Sequence, residues 1–237
     1  MGLRRRSCIM TETTIFISEA TKRNWDKLNS SGNDRLKRRA NKSRSQKIIT
    51  PEGYVIAGSL PRFVEELRDT TYPINDLIFS LCALYVEHNR VNEANKRRFF
   101  EEYTHYQRLD VSVPRQILKN RQDDWIGFVY QSLTAEGQRI LKGLYYTKPV
   151  IVNEMLSDIR ILNGERFLDP CCGSGIFLLK LEHATMEQLY GIDNDPLAVM
   201  IAKANLMVKY GESAVYPQIY QMDFLLHAIS ALGDLKF

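Results

Sequence analysis

Three acids, Asp169, Asp193 and Asp223, each stand at the end of a short apolar run, in "RFLD", "EQLYGID" and "PQIYQMDFLL". The first run continues into "DPCCGSGIFLLKL", where Gly173 and Gly175 precede an apolar pattern of helical spacing. Three chemistries are open for this stretch: a loop that cradles a cofactor, a cysteine-based site, or a tight turn between strand and helix. A reactive thiol needs a partner base, and the one histidine close in sequence is His183, so Cys171 and Cys172 read as small apolar loop residues. In an open parallel sheet, ligands bind where loops and helix N-termini converge at the carboxyl ends of strands. Glycines there let the backbone turn sharply and approach a ligand. The N–H groups of the following helix suit a carboxylate or phosphate.

The side chains narrow the ligand. A dinucleotide site wants G-x-G-x-x-G, and the third glycine position holds Leu178. An acid as early in the loop as Asp169 would repel a pyrophosphate but suits an ammonium group. Asp193, twenty residues after Gly173, is placed to accept from both hydroxyls of a ribose, although capping the next helix is an alternative role. Asp223 can accept from an adenine amino group, with Phe224 beside the ring. Ammonium, carboxylate, ribose and adenine without phosphate describe S-adenosyl-L-methionine.

These residues need a frame. Strands alternating with helices from Arg166 onward predict βαβ units and a parallel sheet. "GIFLLKLEHA" reads as the first helix of that region. The second, "PLAVMIAKANLMVKYG", has Asp195 as N-cap, Pro196 at the first helical position and Gly211 at the C-terminal cap. Its apolar stripe is Leu197, Met200, Ile201, Ala204 and Val208. Residues 60–142 read as helical, with Phe99, Phe100, Tyr103, Tyr106, Trp125 and Tyr130 as core. Residues 1–50 hold thirteen Lys and Arg against four Asp and Glu, whereas 51–237 hold nineteen against twenty-four. A basic arm on a mildly acidic body suits a polyanion such as double-stranded DNA, through a helix-turn-helix reader or phosphate contacts alone. No apolar run approaches the roughly 20 residues of a membrane span, so no membrane partner is expected. Four cysteines without metal-ligand spacing suggest a reduced, cytoplasmic chain.

"DPCCGSGIFL", "YGIDNDPLAV" and "QMDFL" resemble the first three cofactor motifs of DNA adenine-N6 methyltransferases. The class is that of type IIG and related restriction–modification enzymes, in which the cofactor motifs precede the catalytic one. "GLYYTKPVIVNEML" (143–156) resembles the same class's upstream motif, with Lys148 intervening between Thr147 and Pro149. The resemblance implies S-adenosyl-L-methionine bound by Tyr146, Thr147, Asp169, Pro170, Cys171, Gly173, Gly175, Asp193, Asp223 and Phe224. It implies an α/β chain with, over 143–237, the first half of a Rossmann-like methyltransferase domain, which follows the basic arm over 1–58 and the helical region over 59–142 that charge and periodicity give.

That family also carries N/D-P-P-aromatic at its fourth strand, and the eight prolines here are all isolated. Only 56 residues follow Leu181. The catalytic motif is therefore expected after Phe237, and no residue of the chain is assigned a catalytic role. The expectation is an N-terminal portion of a methyltransferase with an incomplete sheet, inactive alone, from an interrupted gene, a truncated chain or a split enzyme whose second polypeptide would complete the fold. The alternatives are a non-catalytic nucleic-acid-binding subunit with a vestigial pocket, or a methyltransferase for cytosine N4, RNA or protein glutamine.

Overall fold

Leu60, Phe63, Val64 and Leu67 recur at spacings of three and four, and all four are buried on one face of the first helix, α1 (Leu60–Arg68). The computed structural model describes residues 54–56, 58–134 and 147–224; residues 1–53 of the basic arm lie outside them. So does Phe237, and the catalytic motif expected after it has no counterpart among the described residues. Among the described residues four more helices follow: α2 (Ile74–His88), α3 (Glu93–Glu102), the short α4 (Arg115–Leu118) and α5 (Trp125–Leu133). Proline near the first position opens α1, α2 and α4, while Asn92 and Asp124 cap α3 and α5 through their side chains. Phe99, Tyr103, Trp125 and Tyr130 are buried in the core, and Phe100 and Tyr106 pack against it. The aromatic residues are thus packing, as the sequence predicts.

Beyond α6 (Pro149–Leu156) the chain forms β1 (Phe167–Asp169), α7 (Ile176–Lys180), β2 (Leu189–Asp193), α8 (Pro196–Tyr210) and β3 (Gln218–Gln221). The strands form a parallel sheet in the order β1-β2-β3. Asp169 lies opposite Gly191 and Asp193 opposite Gln221, which brings the carboxyl ends of all three strands to one edge.

Two expectations need correcting. The helix expected to reach Ala184 stops at Lys180, because Lys209 donates to the carbonyls of Leu178 (3.3 Å) and Leu181 (2.9 Å) and caps the helix end. The chain then turns at His183, whose φ is +60°. The strand expected from Glu187 begins instead at Leu189, after a 3-10 turn that Thr185 caps reciprocally with Gln188.

Helix α8 carries the expected caps: Asp195 accepts from the Leu197 N–H, Pro196 follows, and Gly211 closes the far end. It is apolar on two faces. Leu197, Met200, Ile201, Ala204 and Val208 join the core of the helical region, whereas Val199, Ala202 and Leu206 join a second core with α6, α7 and the sheet. The helix is therefore the shared wall of two cores. Among the described residues no helix is long and apolar enough to cross a membrane.

Candidate functional site

The loop after β1 is built by its own backbone. The Cys172 N–H donates to the Ile192 carbonyl on β2 (2.9 Å), and the Gly175 N–H donates back to the Cys172 carbonyl (2.8 Å). Gly173 (φ +52°) and Gly175 (φ +88°) both occupy the left-handed region, which L side chains enter at a cost of about 1–2 kcal/mol. Their surroundings differ. A Cβ on Gly175 would come within 3.2 Å of Ala202 on α8, while one on Gly173 would meet nothing within 4 Å. Gly175 thus seats the loop on α8, and Gly173 faces open space.

The acids converge on that space. The Asp193 Oδ2 accepts from the Gly173 N–H (2.8 Å), and its Oδ1 from the Asp195 N–H (2.9 Å). Asp193 therefore braces the loop from the neighbouring strand, and each oxygen keeps a lone pair. The cap of α8 is Asp195, so the alternative role weighed for Asp193 falls to its neighbour. The Met222 N–H donates to the Asp193 carbonyl (2.9 Å), which ties the end of β3, with the half-buried Asp223 and Phe224 just beyond, to the same place. Burial pushes the Cys171 thiol up, and Asp193, Asp169 and Asp223 push it further, so three carboxylates act on one side chain. The Cys172 thiol is raised well above its ordinary value by burial and by Asp169 and Asp193. Neither cysteine is an activated nucleophile.

Asp169 is the least satisfied of the acids. Its Oδ1 accepts from the Cys171 N–H (3.2 Å), while its Oδ2 is buried with no hydrogen-bond partner. Burial raises its pKa, the Cys171 N–H opposes that, and Asp193 adds to it. A buried acceptor without a donor costs about 1–3 kcal/mol, which a cationic ligand group would offset. Pro170 is half-buried in the same turn. Thr147 is half-buried just before α6, and among the described residues it makes no hydrogen bond to the acids. Tyr146 lies outside the described residues.

The helical region supplies side chains that the motifs do not include. Fully buried Asp124, the N-cap of α5, accepts from Ser174 in the loop at Oδ2 and from Asn205 of α8 at Oδ1 (2.7 Å). Further along the same helix, Tyr130 donates to Asp195 Oδ2 (2.7 Å). Helix α5 thereby reaches both the loop after β1 and the start of α8. Sequence reasoning places Tyr130 in the core and passes over Asp124; the available signal was the acid at a helix start in "DDWIG".

Residues 121–230 match the family model described as N-6 DNA Methylase. A curated relative, the "Type I restriction enzyme MjaIX methylase subunit" of Methanocaldococcus jannaschii, is 29% identical over 108 residues, which cover 41% of this chain and 19% of that protein. The chain therefore spans about a fifth of the length of that relative. No solved structure matches this chain. The segment that resembles this family runs from the Asp124 loop to beyond β3 and so includes the loop after β1 and all three strand-end acids.

Proposed function

We propose that the chain is the S-adenosyl-L-methionine-holding part of an adenine-N6 DNA methyltransferase, built on the first strands of a Rossmann-like sheet. The observation that carries the reading is the buried, partnerless Asp169 Oδ2 beside the open space above Gly173. Asp169 would take the methionine ammonium, and Gly173, Pro170 and Cys171 would line its approach. Asp193 has lone pairs left for the ribose hydroxyls, while Asp223 and Phe224 would hold the adenine. Tyr146 and Thr147 would close over the methionine end.

The cofactor supplies a sulfonium methyl group, which the amino nitrogen of a target adenine attacks. These residues hold the donor and exclude water; proximity and orientation do most of the remaining work. The basic arm would contact the phosphates of double-stranded DNA. We assign the groups that receive a flipped adenine to further strands added beside β1. Two observations support this. Among the described residues β1 pairs only with β2. The outward face of α6, with Ile151 and Met155, is exposed and apolar.

Titration calorimetry with S-adenosyl-L-methionine tests the cofactor part. Wild type should bind, and Asp169→Ala and Asp193→Ala should each weaken binding by about tenfold or more, the loss of a charged hydrogen bond. Absence of binding by wild type would favour a vestigial pocket. Transfer of labelled methyl to adenine-containing duplex DNA by residues 1–237 would refute the assignment of the adenine-receiving groups to further strands while leaving the cofactor part standing.

A further inference from the structure

The cofactor loop is held on one side by Asp193 and on the other by a side chain outside every recognised motif. Asp124 is fully buried, and its Oδ1 accepts from the Gly127 N–H (3.0 Å) and Asn205 Nδ2 (2.7 Å). Its Oδ2 accepts from the Ser174 hydroxyl, and Asn205 Nδ2 also donates to the Ser174 carbonyl (3.0 Å). Ser174 stands between Gly173 and Gly175, so its side chain and its backbone are both fixed at the centre of the turn. Gly127, inside α5, makes the contact possible: a Cβ there would collide with the Asp124 carboxylate and come within 2.5 Å of the Ser174 hydroxyl. A glycine inside a helix is destabilising relative to alanine, and here it preserves this contact. Asp124 is itself held in place, since its carbonyl accepts from the buried Tyr54 hydroxyl (3.0 Å) and from the Phe128 N–H (3.1 Å).

A carboxylate removed from water so completely is costly, and a cap on α5 does not require it, because an exposed cap serves as well. Its three donors come from three elements: α5, the cofactor loop and α8. From this geometry we infer that Asp124 is the positioning residue of the cofactor loop. Through Ser174 and Asn205 it locks the Gly173–Gly175 turn into its ligand-receiving shape, so that the helical region sets cofactor affinity. Asp124 does not touch the ligand; it acts through Ser174.

Asparagine can keep the pattern, with its oxygen accepting from Gly127 and Asn205 and its amide donating to a rotated Ser174 hydroxyl. Alanine cannot. The test uses the full chain as wild type, Asp124→Asn, Asp124→Ala and Ser174→Ala, with two readouts. Amide hydrogen exchange follows Gly173 and Gly175, whose N–H groups bond to Asp193 Oδ2 and the Cys172 carbonyl (both 2.8 Å). Calorimetry with S-adenosyl-L-methionine follows affinity, and this arm rests on the cofactor reading above.

In Asp124→Ala and Ser174→Ala the two loop amides should exchange about tenfold faster or more while the β2 amides keep their protection, and affinity should fall at least as far. Asp124→Asn should stay within about threefold of wild type in both. Ser174→Ala removes only the loop's side of the contact and carries the test where Asp124→Ala does not fold. Wild-type exchange of the loop in Ser174→Ala overturns the inference, as does an Asp124→Asn loop as free as that of the alanine variants. Loop release in the alanine variants with no binding by any protein, wild type included, upholds the clamp and removes the cofactor reading instead.

Discussion

Two glycines two positions apart have different tasks. At Gly173 the open surroundings leave only the backbone penalty, so Gly173→Ala should lose about 1 kcal/mol of stability yet weaken cofactor binding by intruding on the ligand's space. Gly175→Ala meets Ala202 at 3.2 Å as well as the left-handed φ, and should cost about 2 kcal/mol or more in chemical denaturation. Equal stability losses would refute the division of roles. Asp124 adds a pH signature. Desolvation raises its pKa from 3.8 to about 6, against the hydrogen bonds of Ser174, Asn205 and Gly127, and the neighbouring Asp123 adds to the rise. A carboxyl with a raised folded-state pKa binds its proton more tightly when native. Its contribution to stability is therefore full below about 4 and is lost as pH rises to about 6, amounting to roughly 3 kcal/mol. Asp124→Asn has no such proton, so its stability relative to wild type should increase between about pH 4 and 6 and level off above. A wild-type-minus-variant difference that is flat across that window would show that Asp124 does not titrate there. Of this site, the acids at the strand ends and the glycine turn were legible in the sequence, because strand-end position and residue type suffice to name them. Asp124 was not, since its partners Ser174 and Asn205 are 50 and 81 residues away and no local pattern records such a meeting.

Helix α8 shows why element type is easier to read than partner. Its caps and apolar stripe were plain, but the stripe faces α2 and α5, and the sheet receives Val199, Ala202 and Leu206. A helix apolar on two faces has two neighbours, and periodicity does not say which face meets which. The α8 wall also carries an ionic tie to α3. Lys203 pairs with Glu102, and the Tyr216 hydroxyl donates to Glu102 Oε2 at 2.8 Å. Desolvation tends to raise the Glu102 pKa, but the bonds from Lys203 and Tyr216 outweigh it and hold the carboxyl below its ordinary value. The sign is opposite to that of Asp124: this stability is present above the unfolded value of 4.5 and is lost as pH falls through the lower folded-state value. Lys203→Met should therefore cost about 1–3 kcal/mol at neutral pH, less than a fully buried pair because Glu102 is 37% exposed. The deficit should narrow as pH falls from 4.5 through the lower folded-state value, where wild type also loses its charge pair. A deficit that stays constant with pH would mean that the lysine contributes packing rather than charge.

At the scale of the molecule, the question is what lies against α6 and β1. Val152 and Leu156 turn inward to the second core, yet Val150, Ile151 and Met155 on the other side are 52%, 46% and 60% exposed. Ile159 and Leu162 in the following segment extend the apolar surface at 41% and 64% exposure. A helix with one apolar side packed in a core and another exposed is built for a second contact. The strand nearby agrees: all three residues of β1 are half-buried, while four of the five in β2 are buried. A strand paired on one side among the described residues is a template for further pairing, and beside an apolar helix face it invites self-association. Sedimentation velocity of the chain alone should accordingly show concentration-dependent association. Met155→Lys combined with Leu162→Lys should suppress it while changing stability by no more than about 0.5 kcal/mol per site, as for exposed positions generally. If these side chains instead pack against the rest of the same chain in solution, the lysines would destabilise the fold without altering its association.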